Sequence, residues 1–486
     1  MKLKHNSINY SVTTVDALLT LVGEENDVVV VTDENRGGTF VYRSADSATN
    51  NGGTIFNGWT RQYDGAVNVK WFGAKCNLID SDTASVQKAI DYCSSYNRWL
   101  PLEVTGRCLL GTSINIDRLV DNSLSEFRII ANGEGAGFYT NSDVVMFDST
   151  IEVTTAPLSE FITFEGIQFE TSSVLNESYV LSEKFLRIKF LNCNFRLIRC
   201  VFSNIYVQTM YFTECNIRNN MPSFINCVGL YDVVFTDCII ENGNTIVRNT
   251  DNVRGNNGLR FIGGVVEGMQ SSIVIGTGMV GFDYIGIHNE SNFSPEFNFF
   301  GGTLTNKTIN FIGNYFVNTL GSIAYYGTTE KVTSQGNNVV GVGGGVLHDN
   351  DGRVSELISI GDNTVNGISN SPNVTKINGV ELHTLSASAW TDTSSHLTKN
   401  IIGEFGFGSN PIGTVRAFFK GSNQLGTHFS GVFADSVGNA TAYFKNDRKI
   451  GFPALLDFTN DTTASVGGIG IGELYRTGST VKVRVS

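Results

Sequence analysis

Between residues 162 and 366 the chain repeats one short pattern of apolar and polar positions. Nine segments, aligned on the apolar residue that opens each, start 22 to 27 residues apart. They are "ITFEGIQFE" (162–170), "IKFLNCNFR" (188–196), "MYFTECNIR" (210–218), "VVFTDCIIE" (233–241), "LRFIGGVVE" (259–267), "FDYIGIHNE" (282–290), "INFIGNYFV" (309–317), "VTSQGNNVV" (332–340) and "ISIGDNTVN" (358–366). The first position is apolar throughout, the second mostly polar and the third largely aromatic or aliphatic, which is the in–out alternation of a strand. The fifth is mostly Gly, Asn or Asp, residues that tolerate a left-handed backbone, so the chain turns a corner there. A period in the low twenties with no helix inside it predicts an all-β solenoid whose coils stack about 4.8 Å apart.

Stacking gives each column a meaning. The sixth position holds Cys193, Cys215 and Cys238, then Asn314, Asn337 and Asn363, which predicts inward ladders of thiols and of amides. The ninth position faces outward and reads Glu170, Arg196, Arg218, Glu241, Glu267, Glu290, Val317, Val340 and Asn366. Three successive coils carry glutamate there and two earlier ones arginine. Like charges about 5 Å apart repel, so stability alone does not account for the row.

Residues 1–68 read as short strands and Gly/Asn-rich turns, a capping or attachment region. In the segment 67–104, Val86, Ala89, Ile90 and Cys93 fall at helical spacing after "DSDT", whose side chains suit an N-cap. A helix over 83–96 would cover the open end of the solenoid, which spans 69–378, with irregular turns to about 160. Beyond it, "TVRAFFKGS", "THFSGVFAD" and "ATAYFKNDR" predict a separate β-sandwich-like domain over 379–486.

Composition narrows the partners. A net charge of −12 disfavours nucleic acid and anionic membranes, and no run of about 18 apolar residues predicts a membrane span. The N-terminus shows no secretion signal, and the eight cysteines lack a C-x-x-C pair, so reduced structural thiols are expected and no metal. "DNDG" (349–352) lacks the acidic ligands of a calcium loop and reads as a turn. Trp59, Trp71, Trp99 and Trp390 lie outside the regular coils and fit burial at junctions. No motif calls for a cofactor.

The segment "VKWFGAKCNLIDSDTASVQKAID" (69–91), followed by the turn repeat and a C-terminal β-domain, resembles bacteriophage tailspikes with a pectate-lyase-like, right-handed, single-stranded parallel β-helix. Family members usually carry Gly-Asp-Gly before the Asp-x-Thr, where this chain has Asn77, Leu78 and Ile79. The resemblance implies a homotrimer on the phage tail of the virion, assembled in the host cytoplasm. It further implies binding and depolymerisation of bacterial surface polysaccharide, O-antigen or capsule. The C-terminal domain would serve trimerisation or glycan binding, and residues 1–68 would attach to another tail protein.

Glycoside hydrolysis needs two carboxyl groups, about 5–5.5 Å apart for retention or 6.5–9.5 Å for inversion. Adjacent and alternate coils offer both spacings, with Glu241 and Glu267 as the first pair and Glu290 as third candidate. Arg218 and Arg196 would bind substrate, His288 and Tyr315 share the face, and Tyr211 and Tyr315 are outward aromatic platforms for sugar rings. The primary expectation is an endo-glycosidase. The alternatives are a lyase on a uronic-acid polymer, using His288 or Tyr315, and a spike that binds without cleaving.

Overall fold

A computed structural model describes residues 10–363 apart from 96–99, 122–125, 150–161, 173–177, 183–186, 208, 219–221, 250–255, 293–295, 301–303, 318–322, 341–346 and 350–352, and after these the strands Lys376–Ile377 and Val380–Glu381 and short segments of the second unit. The chain divides into two compact units, Met1–Leu385 and Ser386–Ser486. No helix among the described residues is long and apolar enough to cross a membrane.

The first unit is a parallel β-solenoid of three faces, with strands pairing coil upon coil. One face runs through strands such as Arg187–Leu191, Thr209–Thr213, Asn257–Ile262 and Gly281–Ile285. After the corner comes a second face of eleven short strands, from Asn77–Ser81 to Asn338–Val340. The third includes Thr245–Asn249, Val274–Gly276 and Phe297–Phe299. Two early coils, with second-face strands Arg107–Leu109 and Gly137–Thr140, belong to the same stack although their sequence lacks the repeat.

The corner before the second face is left-handed in each of the nine repeat units, through Gly166, Asn192, Glu214, Asp237, Gly263, Gly286, Gly313, Gly336 and Gly361. The last of these corrects the expected register. Val332 pairs with Leu357, not Ile358, so the ninth unit begins one residue earlier. Asp362 therefore continues the amide ladder in place of Asn363. Asn314 donates through Nδ2 to Asn337 Oδ1 (2.8 Å), and Asn337 to Asp362 Oδ1 (2.9 Å). Asn366, expected outward, lies outside the described residues.

Inside, stacking is literal. Phe164, Phe190, Phe212, Phe235 and Phe261 form a column with centroids 5.3, 5.0, 4.6 and 4.6 Å apart and near-parallel rings. Beside them Cys193, Cys215 and Cys238 are buried, each thiol directed at a backbone carbonyl of the coil before: Phe164, Phe190 and Phe212. Burial pushes the Cys215 thiol well up, so it is held as an inert thiol. In the next coil this position is Gly264, where a Cβ would lie 2.2 Å from the Cys238 carbonyl oxygen.

The helix Thr83–Ser94 closes the N-terminal end of this core with Val86, Ala89, Ile90 and Cys93. Its N-cap, Asp82, makes no side-chain bond to the helix. The carboxylate instead accepts from the N–H groups of Lys75 (2.6 Å), Cys76 (3.1 Å) and Leu109 (3.1 Å), tying the lead-in segment to the first coil. Cys76 and Cys108 make the same connection covalently, as a disulfide. This corrects the expectation that all thiols are reduced; the two half-cystines meet because Cys76 immediately precedes the strand Asn77–Ser81, which pairs with the strand Arg107–Leu109 that holds Cys108. The other six cysteines are free and buried.

Ahead of the solenoid, a five-stranded sheet over Tyr10–Gln62 has its own core around Phe40, Phe56 and Trp59. Arg61 is buried with its guanidinium 4.6 Å from the Phe40 ring and 4.5 Å from Trp71, donating to the carbonyls of Arg36 and Gly37. Burial pulls its pKa down to about 10. Trp59 is fully buried and Trp71 half-buried, whereas Trp99 and Trp390 lie outside the described residues. So do residues 350–352 of the "DNDG" stretch.

In the second unit, Arg416–Phe418, Phe429–Ala434, Ala440–Lys445 and Ile450–Gly451 form an antiparallel sheet. A short helix Asp461–Val466 and the hairpin Leu474–Thr477/Thr480–Val483 follow. The antiparallel pair Thr391–Asp392/Leu397–Thr398 precedes them, and most of the rest of this region lies outside the described residues.

Candidate functional site

Strand register brings the outward residues of the second face into one row. Glu170 pairs with Arg196, Arg196 with Arg218, Arg218 with Glu241, Glu241 with Glu267, Glu267 with Glu290 and Glu290 with Val317. A parallel row alongside, two residues earlier in each strand, runs Asn194, Asn216, Ile239, Val265, His288 and Tyr315. The intervening residues, such as Ile240, Val266, Asn289 and Phe316, point inward and are buried. Strand alternation thus puts both rows on one open surface.

The charges in the row are not equally compensated. Glu170 is nearly buried and ion-paired to Arg107, with Gln168 Nε2 donating at 2.7 Å and Arg196 reaching it at 3.4 Å. Glu241 is held by Arg218, Nε to Oε2, at 2.5 Å. Glu290 faces His288 Nε2 at 3.6 Å, and the His288 ring stacks on Tyr315 with centroids 5.5 Å apart. Glu267, between two glutamates, makes no ion pair or side-chain hydrogen bond among the described residues.

Of the residues predicted for the site, Glu241, Glu267, Glu290, Arg196, Arg218, His288 and Tyr315 share this surface. Tyr211 does not. It faces outward from the neighbouring face, where its hydroxyl donates to Asp232 Oδ2 at 2.5 Å, and that bond pushes its pKa up. Arg107, which holds Glu170, was missed by sequence reasoning. It stands in a coil that precedes the regular repeat, so no column pointed to it.

Chemically, neighbouring coils put the Glu241 and Glu267 backbones about 4.8 Å apart, and alternate coils put Glu241 and Glu290 about 10 Å apart. Glutamate side chains span the difference, so both separations of paired-carboxylate hydrolysis are within reach. The side chains of Cys76, Asp82 and Cys108 also converge, but both sulfurs are consumed by the disulfide and both Asp82 oxygens by backbone N–H groups.

No protein-family model and no curated protein sequence matches the chain. Among solved structures it is similar to the tailspike protein of Acinetobacter phage vB_ApiP_P1, with 18% identity, a TM-score of 0.48, and 85% of this chain and 79% of that chain covered. It is similar also to the tailspike protein of Acinetobacter baumannii phage AM24, with 16% identity, a TM-score of 0.49, and coverage of 76% and 64%. A third is the Agl-KA catalytic domain, with 12% identity, a TM-score of 0.44, and coverage of 66% and 70%.

Proposed function

We propose that the chain is a phage tailspike that binds bacterial surface polysaccharide, O-antigen or capsule, and cleaves it by endo-glycosidic hydrolysis on the second face. One observation carries the reading: three glutamates stacked in register on an open surface, the middle one without a cationic partner among the described residues. Glu267 donates the proton to the leaving oxygen. Glu241, its charge matched by Arg218, acts as nucleophile or as the base on water. Glu290 is the alternative partner of Glu267. Tyr315, 38% exposed, offers a platform for a sugar ring. Homotrimer assembly, a place on the virion tail, attachment to another tail protein through residues 1–68 and a trimerisation or glycan-binding role for residues 379–486 belong to the same reading. They rest on the sequence resemblance.

The test is mass analysis of fragments released from purified capsules and O-antigens by the wild-type chain and by Glu241→Gln and Glu267→Gln. Cleavage that is lost in both variants, with binding retained, supports the assignment. Full cleavage by both would refute it. The His288–Tyr315 stack favours a second reading, β-elimination on a uronic-acid polymer. That reaction leaves an unsaturated, ultraviolet-absorbing end which hydrolysis does not make.

A further inference from the structure

The same surface changes character along the solenoid axis. At the glutamate coils the outward pairs are Ile239/Glu241 and Val265/Glu267, whereas the two preceding coils present Asn194/Arg196 and Asn216/Arg218. Arg196 and Arg218 stack on adjacent strands and keep 60% and 57% of their side-chain surface exposed. The two strands lie about 4.8 Å apart, and the guanidinium groups lean to opposite sides, Arg196 towards Glu170 and Arg218 towards Glu241, so that both forks border the open surface between them.

The carboxylates within the protein do not use up their donors. Glu170 is already held by Arg107 and Gln168, so Arg196 gains only one contact there, at 3.4 Å. Arg218 spends its Nε on Glu241. An arginine carries five N–H donors in a planar fork, and the fork matches a carboxylate through two parallel bonds. On a chain of net charge −12, this pair is a local reversal of sign.

We infer that Arg196 and Arg218 form a subsite for a carboxylate-bearing sugar, so the polymer recognised by this surface is acidic. This rests on the proposed function, in which the polymer lies along the row. Arg218 stands two strand steps from Glu267, about 10 Å. One coil spans about the length of one sugar residue, so the acidic sugar sits roughly two residues from the cleaved bond. Every product chain then carries its acidic sugar at one fixed position from the new end.

The test uses the full-length chain and an array of purified uronic-acid-containing bacterial capsule polymers. Each polymer is presented native and after carbodiimide–borohydride reduction of its carboxylates to alcohols. A native polymer should bind at least tenfold more tightly than its reduced form. Arg196→Gln and Arg218→Gln should each lower affinity about tenfold with unchanged melting temperature, while Glu267→Gln binds as wild type. Where an arginine variant melts early, the comparison of native with reduced polymer on the wild-type chain decides alone. Equal affinity for native and reduced polymers, or binding confined to neutral ones, overturns the subsite and leaves the carboxylate mechanism standing. Carboxylate-dependent binding with no fragment released overturns the mechanism and leaves the subsite standing. No binding to any polymer overturns both.

Discussion

Two faces of one solenoid share the same coil spacing but arrange charge differently along their columns. On the face before the corner, outward charges meet partners. Arg260 is bonded to Asp232, Asn310 donates to Asp283 at 2.7 Å, Lys331 lies 3.7 Å from Glu356, and Arg128 and Lys307 pair with Glu165 and Glu330. On the face after the corner, arginine stacks on arginine and glutamate on glutamate on glutamate. Parallel register forces neighbours on both faces alike, so the difference lies in which residues occupy the columns. Complementary columns contribute modestly to stability, as exposed ion pairs do. Like-charged columns oppose it, and it is this second face to which the proposed function assigns the binding of polymer.

The sharpest way to break this contrast is Glu267→Gln. Cleavage should fall roughly 10²–10⁴-fold, the range for a lost general acid. The melting temperature should hold or rise, because the substitution removes a charge from between two like charges. A clear drop in melting temperature would mean that the row is structural.

Stability should be concentrated elsewhere, first at the disulfide. Cys76 and Cys108 are 32 residues apart, so closing that loop contributes roughly 3–4 kcal/mol in the chain-entropy account. Thiol titration of denatured, unreduced protein should find six thiols, and reduction should lower the melting temperature. Eight thiols would overturn the clasp.

The interior adds a pH-dependent contribution of its own. His348 is buried, with Nδ1 bonded to the Tyr326 hydroxyl at 2.8 Å, and burial pulls its pKa down to about 4 from 6.5 despite the opposing charge of Asp362. As pH falls, the unfolded chain therefore takes up the proton first. This stabilisation is complete above pH 6.5, declines between 6.5 and 4, and amounts to roughly 3 kcal/mol at full extent. Denaturation followed over that range should show the decline, and His348→Asn should flatten it.

The smallest expected effect is on the complementary face. Asp232→Asn removes the ionised partner of Tyr211 and Arg260, both partly exposed, and should destabilise by about 1 kcal/mol while leaving cleavage at the wild-type rate. Loss of cleavage in this variant would return Tyr211 to the site.

Much of this was legible before any coordinates. The apolar first column, the aromatic third column and the corner residues gave the solenoid, its coil length and the order of the outward row, down to Glu241, Glu267 and Glu290. The ninth unit slipped by one because "SIGD" offers both Gly361 and Asp362 as the corner residue, and only the pairing of Val332 with Leu357 separates the two. The early coils were illegible because Arg107–Leu109 and Gly137–Thr140 lack the repeat, and with them went Arg107 and the Cys76–Cys108 link.

The sequence by itself determined which residues face in, which face out and which stack, because a strand's alternation and a corner's backbone are local properties of a few consecutive residues. Only the tertiary structure decided which charges are compensated, that Tyr211 belongs to a different surface and that two half-cystines meet. Those outcomes depend on the lateral reach of side chains between coils about 4.8 Å apart, which no column of letters records.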